Sequence, residues 1–303
     1  MMKAANKAAL ITGATGFVGS YLVEKLISQG WIPHLIIRPE SDLSPIQHLV
    51  KKVILHIHDG STKEMVNIVQ RANPEIVIHL ASRFIVEHKS EDIEILIKSN
   101  ILFGVQLIEA MVVNKIYRLI NVGTSWQNYE NKEYNPVCLY AGTKEAFEKI
   151  LIFYLESTPL KCITFKLFDT YGPRDPRTKL FYLLKTAAAT GVEIDMSPGE
   201  QMIDLVYIDD VIDAFLIGIK CLQNSNMKCE NYAISSGTLI TLKDLVAKFS
   251  KISGTEIKVH WGGRAYRKRE VMIPWRNFQL IPGWEPKINL DEGIKRLLID
   301  KRG

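Results

Sequence analysis

Cysteine is scarce in this chain. Its four cysteines, Cys138, Cys162, Cys221 and Cys229, form no C-x-x-C pair and no Cys/His ligand spacing. A disulfide framework and a cysteine-based metal centre are therefore not expected, and a reduced protein of the cytoplasm is the simplest reading. Long apolar runs are missing too: none reaches the roughly 18 residues of a membrane-spanning helix. The opening, Met1 to Leu10, carries Lys and Ala but no separate apolar leader segment, so no membrane partner is expected. Charge of one sign is thin, with 38 Lys and Arg against 33 Asp and Glu and a formal net charge of +5. The local basic cluster Arg264, Arg267, Lys268 and Arg269 is too short for a nucleic-acid track and suits an anionic small molecule. What is present is an ordinary globular composition, 47% hydrophobic, long enough to bury one large core or a core with a smaller lobe.

Short apolar runs alternate with longer amphipathic segments. Strands are expected at 8–12, 34–37, 53–57, 76–80, 119–122 and 163–168, with helices at 17–29, 63–72, 92–113 and 139–155. In the first helix Val18, Leu22 and Leu26 share one face, and Gly30 supplies the stop. Nearly all-apolar strands in repeated strand–helix units indicate a parallel sheet covered on both faces. The rhythm breaks after Phe168, at the turn-forming Tyr171-Gly172-Pro173-Arg174-Asp175-Pro176. The expected class is α/β, a doubly wound parallel sheet in residues 1–171 with a smaller mixed α/β C-terminal lobe. Residues 203–234 are read as returning to the sheet, as a helix at 206–219 and a strand at 231–234. Residues 172–202 and 235–303 form the lobe.

The first strand runs into Gly13-Ala14-Thr15-Gly16-Phe17-Val18-Gly19. Glycine permits the tight turn and the close approach of backbone to a pyrophosphate, and the following helix offers unpaired N–H groups and a positive dipole end. Glycines alone are weak evidence. Between a strand and a helix, within the first βαβ unit, they read as a Rossmann-type dinucleotide site. The second strand ends in Ile37-Arg38-Pro39. A carboxylate there would accept bonds from a free ribose 2′-OH, whereas an arginine suits a 2′-phosphate, so Arg38 favours NADP(H). The competing reading makes Arg38 a solvated charge and lets Asp42 reach the ribose.

Tyr140 and Lys144 stand four apart at the start of a helix, which puts both on one face. An ammonium beside a phenol is expected to lower the phenol's pKa towards the working range of a proton-transfer catalyst. The fifth strand ends in Gly123-Thr124-Ser125, where a hydroxyl can hydrogen-bond a substrate oxygen beside the tyrosine.

Together these motifs resemble the extended short-chain dehydrogenases, the nucleotide-sugar epimerase, dehydratase and reductase family. The likeness covers nearly the whole chain, through His79-Leu80-Ala81, Asn100, Phe168-Asp169-Thr170-Tyr171-Gly172-Pro173, Gly199-Glu200-Gln201-Met202-Ile203-Asp204, Val206-Tyr207-Ile208-Asp209-Asp210 and Gly283-Trp284-Glu285-Pro286. The resemblance implies Thr124 as the hydroxyl on the sugar oxygen, Tyr140 as the acid/base and Lys144 as the ribose clamp. It implies further cofactor contacts at Asp59, Gly60, Leu80, Ala81, Ser82 and Asn100. On the substrate side it implies Ser125, Asp169, Arg267 as the diphosphate anchor, and Arg269 close behind. Asp169 stands where the family commonly has asparagine, and Ile203 where it often has arginine. Trp126, Trp261 and Trp275 are candidates to stack on a base or sugar, while Trp284 reads as packing.

Local wording narrows the likeness. Gly123-Thr124-Ser125-Trp126-Gln127, Glu133-Tyr134-Asn135-Pro136 and Arg269-Glu270-Val271-Met272-Ile273-Pro274-Trp275 resemble the CDP-abequose and CDP-paratose synthase group of 4-ketoreductases. Dehydratases of the family follow the threonine with Asp-Glu; here Ser125-Trp126 follow. The resemblance thus implies NADPH-dependent reduction of the 4-keto group of a nucleotide-linked, CDP-type, deoxyhexulose, as in dideoxysugar synthesis for O-antigen-like surface polysaccharide. An NAD-dependent nucleotide-sugar epimerase and a redox-silent dinucleotide-binding regulator are the alternatives. Apolar residues on more than one face of 92–113 (Ile93, Ile97, Ile101, Val105) and 139–155 (Phe147, Leu151, Tyr154) imply a homodimer built on paired helices.

Overall fold

The computed structural model describes residues 7–224 and 228–299. The chain begins β1 (Ala8–Thr12), α1 (Phe17–Ser28), β2 (Ile32–Ile37), β3 (Ile54–Ile57), α2 (Thr62–Ala72), β4 (Ile76–His79), α3 (Ile93–Ile97), α4 (Phe103–Val113), β5 (Arg118–Thr124), α5 (Leu139–Ser157) and β6 (Lys161–Leu167). It continues with β7 (Asp169–Tyr171), α6 (Leu180–Thr190), β8 (Ile194–Met196), β9 (Met202–Tyr207), α7 (Ile208–Asn224), β10 (Cys229–Ile234), β11 (Leu239–Thr241), α8 (Leu242–Ser253), β12 (Val259–Trp261) and α9 (Leu290–Ile299).

Seven strands form a parallel sheet in the order β10-β6-β5-β4-β1-β2-β3. All residues of β1 and β4 are buried, as a strand covered on both faces requires. One face is packed by α1 and α7 through Leu22, Leu26, Val211 and Phe215. The other is packed by α2, α4 and α5 through Ile68, Leu107, Met111, Phe147 and Leu151. The strand order reverses between β1 and β4, which opens a crevice at their carboxyl ends, the switch point where ligands of such sheets bind. A second core, with Leu184, Leu245, Phe249, Ile294 and Leu297, joins α6, α8 and α9 into the lobe.

The differences from the sequence expectation have local causes. Residues 206 and 207 end β9, and the helix expected at 206–219 runs instead from Ile208 to Asn224. That strand pairs with β7 and β11 in a separate three-stranded sheet, so only α7 and β10 rejoin the main one. The segment after β2 contains a 3₁₀ stretch, Ser44–Lys52, whose Ile46 and Leu49 are spaced by three and buried. Leu80 lies just beyond β4. The helix expected at 92–113 carries a π-turn at Lys98–Leu102. The segment Ser90–Val113 is long enough to cross a membrane, and its most apolar 18-residue stretch has a mean hydropathy of 1.6, but Glu94, Lys98, Asn100, Gln106 and Glu109 interrupt it, so it is no continuous apolar run. It packs Leu96, Leu107, Ile108 and Met111 into the core and buries the polar Asn100 and Gln106.

Candidate active site

The site grows from the carboxyl ends of β1, β4 and β5. Gly13 leaves β1 with φ +71°, a conformation that favours glycine, and a Cβ there would stand 2.6 Å from the Ala81 amide nitrogen. The loops after β1 and β4 therefore pack directly against each other. Thr12 Oγ1 fixes the second one by accepting the Ala81 N–H at 3.1 Å. Gly16 precedes α1 without a side-chain cap, so nothing on its own residue covers the first turn of that helix. A Cβ on Gly19 would collide with the Gly13 carbonyl oxygen. Thr15 and Val18 are half-buried in this turn, while Phe17 is buried and lies beneath the Arg177 guanidinium at 4.7 Å.

At the next strand ends the residues are exposed. Arg38 follows β2, with its guanidinium 3.2 Å from the Glu40 carboxylate, a neighbour that the sequence reading did not weigh. Asp42 is held by its own turn, accepting from the Ser44 N–H and hydroxyl, and these bonds lower its pKa. Asp59 accepts from the Ser61 N–H at 2.8 Å, and the Gly60 carbonyl accepts from Gln106 Nε2 at 2.9 Å.

Asn100 sits in the π-turn, buried, with its side-chain amide fully used. It donates to the Arg83 carbonyl at 3.0 Å and to Thr143 Oγ1 at 2.9 Å, and accepts from the Arg83 N–H and the Ser82 hydroxyl. Two donors and two acceptor sites are all an asparagine has. Asn100 thus ties the loop after β4 to α5.

Tyr140 and Lys144 lie on α5 above this loop, with the edge of Tyr140 against Phe84 at 4.9 Å between ring centroids. Burial pushes the phenol up to about 12, opposed chiefly by the Ser82 hydroxyl. The expected lowering by Lys144 is not found. Lys144 is itself fully buried, and loss of hydration brings its ammonium down to about 8, with Glu148 acting the other way. Its ammonium makes no hydrogen bond among the described residues. That orphaned ammonium and the open first turn of α1 fit a dinucleotide, whose ribose hydroxyls and pyrophosphate would meet both. The neighbouring His79 is buried and held neutral, its pKa brought down to about 3 by burial and then by Lys144.

Thr124 ends β5, Ser125 follows it, and both are buried. The Thr124 hydroxyl accepts the Trp126 N–H at 3.3 Å, and its own N–H donates to Gln127 Oε1 at 2.8 Å. Gln127 Nε2 in turn donates to Glu145 at 2.6 Å and Glu148 at 3.0 Å. Lys166 completes this buried cluster from β6, 3.9 and 3.8 Å from the two carboxylates. Of the cluster, Gln127 stands in the stretch Gly123–Gln127 quoted from the sequence, while Glu145, Glu148 and Lys166 were not read there.

Beside Ser125 a cleft runs between the sheet domain and the lobe, lined by Trp126, Tyr129, Asp169, Ile203, Arg269 and Trp275 among others. Trp275 stacks against Phe168, whereas Trp284 is buried with its indole N–H donated to the Asp210 carbonyl. Trp261 packs beside Gly199, away from the lining. Arg267 also borders the cleft, 5.6 Å from the Trp126 ring and paired with Glu270 at 3.3 Å. Arg269 stacks on Tyr129 and donates to Asn135, while its buried Nε finds no partner among the described residues.

A Rossmann sheet with a Tyr-x-x-x-Lys pair at its switch point defines a dinucleotide-dependent enzyme class. The model of the NAD dependent epimerase/dehydratase family matches residues 9–228, and the chain belongs to that family. Over 296 residues, 97% of both chains, it is 27% identical to a CDP-abequose synthase of Salmonella muenchen. A CDP-abequose synthase of Yersinia pseudotuberculosis is 25% identical over 274 residues, 88% of this chain and 90% of that one. Among solved structures, the UDP-glucose 4-epimerase of Thermotoga maritima with UDP-glucose superposes with a TM-score of 0.85 at 24% identity, covering 96% of this chain and 97% of its own.

Proposed function

We propose that this protein reduces the 4-keto group of a nucleotide-linked deoxyhexulose, of CDP type, with NADPH, in the cytoplasm and as a homodimer. The observation that carries the reading is the placing of Tyr140 and Lys144 one turn apart on α5, with the phenol against the loop after β4 at Ser82 and Phe84. A reductase needs an acid at this place, and a tyrosine phenol carries its proton at neutral pH. The bound dinucleotide supplies the hydride. Tyr140 gives its proton to the carbonyl oxygen as negative charge builds there, and Thr124, or Ser125 beside it, donates a hydrogen bond to the same oxygen. Lys144 holds the ribose. Gly13, Gly16 and Gly19 leave room for the pyrophosphate, and Arg38 meets a 2′-phosphate. The names of the CDP-abequose synthase relatives support the substrate class.

The homodimer reading is supported by exposed apolar residues on adjacent helices, Ile93 and Ile97 of α3 with Ile152 and Phe153 of α5. Phe147 and Leu151 face the sheet instead, so α5 presents a different pair than the sequence suggested.

A second reading, an NAD-dependent 4-epimerase, is favoured by Glu40, a carboxylate three residues beyond β2 and paired with Arg38, which suits a free 2′-OH. Incubation of the purified protein with NADPH and a panel of CDP- and dTDP-linked 4-keto-6-deoxy and 3,6-dideoxy sugars tests the proposal. Stoichiometric loss of NADPH with formation of the 4-hydroxy sugar is expected. Tightly bound NAD that co-purifies, with no consumption of added NADPH, would favour the epimerase.

A further inference from the structure

The buried charge between α5 and β6 is unevenly shared. Glu145 and Glu148 lie 3.9 and 3.8 Å from the same Lys166 ammonium, and both accept from the one Nε2 of Gln127. Glu145 has the better share. It takes the shorter hydrogen bond, 2.6 against 3.0 Å, and a second lysine, Lys149, at 3.3 Å. Glu148 has no second lysine within ion-pair distance among the described residues, although its side chain is only 14% exposed. The cation one turn back on the same face of α5 is Lys144, wholly buried and in no ion pair or hydrogen bond among the described residues. A buried ammonium and a buried carboxylate, each short of compensation, thus follow one another along one helix.

The neighbours of each supply little else. From β4, Lys144 meets His79, which burial holds neutral. Glu148 faces Lys166 and Cys162 of β6, Cys229 of β10 and, on its own helix, Tyr140, Lys144 and Glu145. Burial raises both thiols and the phenol, so all three are uncharged near neutrality. Burial also raises the Glu148 carboxyl, opposed by Lys166, then by Gln127 and Lys144, while Glu145 adds to the rise. An N–H donor on one of its oxygens and an ammonium beside the other hold it as the carboxylate. A buried cation without a countercharge sheds its proton.

We propose that Glu148 is a positioning residue of the site, its carboxylate supplying the countercharge that keeps Lys144 an ammonium ready for the dinucleotide ribose. The proposal rests on the reading that a nicotinamide dinucleotide binds beside Lys144, and Glu148 acts through that lysine. Glu148→Gln isolates the charge, because the amide keeps an oxygen that can accept from Gln127.

Calorimetric dissociation constants for NADP+ and NAD+ at pH 6.5 and 8.5, without sugar substrate, test the proposal. Lys144 titrates at about 8 in the unmodified protein and is expected to be roughly tenfold more acidic without the carboxylate. Binding by Glu148→Gln should therefore be about eightfold weaker than that of the unmodified protein at pH 8.5, and less than about twofold weaker at pH 6.5. In a Lys144→Met background the same substitution should change binding by less than about twofold at either pH, since its charge has nothing left to hold. Should Glu148→Gln not fold, Glu148→Asp and Glu148→Asn, equal in length and different in charge, carry the comparison. An equal loss at both pH values would show a merely structural role and overturn the proposal. Unchanged binding at pH 8.5, or a pH-dependent loss that persists with Lys144→Met, would overturn it too and leave the proposed function standing. Failure of the unmodified protein to bind either dinucleotide would overturn both.

Discussion

At the scale of single residues, the chemistry turns on two groups of α5 whose titrations burial drives in opposite directions, the phenol up and the ammonium down. The Tyr140 phenol is raised by burial to about 12, and the Lys144 ammonium is lowered by burial to about 8. Tyr140→Phe keeps the ring against Phe84, so folding and cofactor affinity should be nearly unchanged. Turnover should fall about two to four orders of magnitude, the size expected for one general acid. Retention of more than about a tenth of turnover, with chemistry limiting, would assign the acid elsewhere. Lys144 yields a prediction of opposite sign for stability. Its lowering from 10.5 to about 8 corresponds to a penalty on the order of 3 kcal/mol in the folded state, present below pH 8 and relieved as pH rises towards the ordinary lysine range. Lys144→Met should therefore lose turnover and NADPH affinity yet melt no lower than the unmodified protein at pH 7, and its advantage should shrink above pH 8. A clear destabilisation at pH 7 would contradict the origin given for that shift. Arg38 decides cofactor choice by a simpler balance. Its pair with Glu40 is exposed and worth at most about 1 kcal/mol, less than a charge-assisted phosphate contact. NADPH should support turnover about tenfold better than NADH, and Arg38→Asp should invert this. Equal use of both cofactors by the unmodified enzyme would remove the argument.

At the scale of elements, the sheet was legible because its strands are buried on both faces and longer amphipathic segments alternate with them. The turn after β1 was legible because no other residue type fits Gly13, where the Ala81 backbone passes so close. The lobe was not legible. Its strands β7, β8, β11 and β12 are three residues long, and their pairings join segments distant in the chain, so no local period reveals them. Sequence position also misled for β9, whose Met202–Tyr207 runs straight into α7. At the site the Tyr-x-x-x-Lys spacing was readable, but the Gln127 bridge from Thr124 to Glu145 and Glu148 was not, since only the folded chain brings those groups together. That bridge predicts a strict demand on its neighbour. A Cβ on Gly123 would stand 2.6 Å from both Gln127 Oε1 and Glu148 Oε1. Gly123→Ala should cost about 1–3 kcal/mol in denaturant unfolding, as overpacking does, and lower kcat more than it raises KM. Unchanged stability with unchanged kcat would show that the bridge is dispensable.

At the scale of the whole molecule, two apolar helices and one crevice decide what the fold presents. Ile152 and Phe153 on α5 are 48% and 66% exposed, beside the outward isoleucines of α3. A dimer through this face predicts twice the chain mass by light scattering at micromolar concentration, and a monomer for Phe153→Glu; a monomeric unmodified protein would refute it. The crevice raises the larger question, whether an external nicotinamide delivers its hydride to the sugar and leaves. Supplying NADPH deuterated at the transferring position together with the CDP-4-keto-deoxyhexulose, and reading the product by NMR, answers it directly. One deuterium at C4 of the sugar, one oxidised cofactor released per product and no such transfer in Tyr140→Phe is the predicted result. A product whose C4 carries no label, formed with NADPH unspent, would contradict the account.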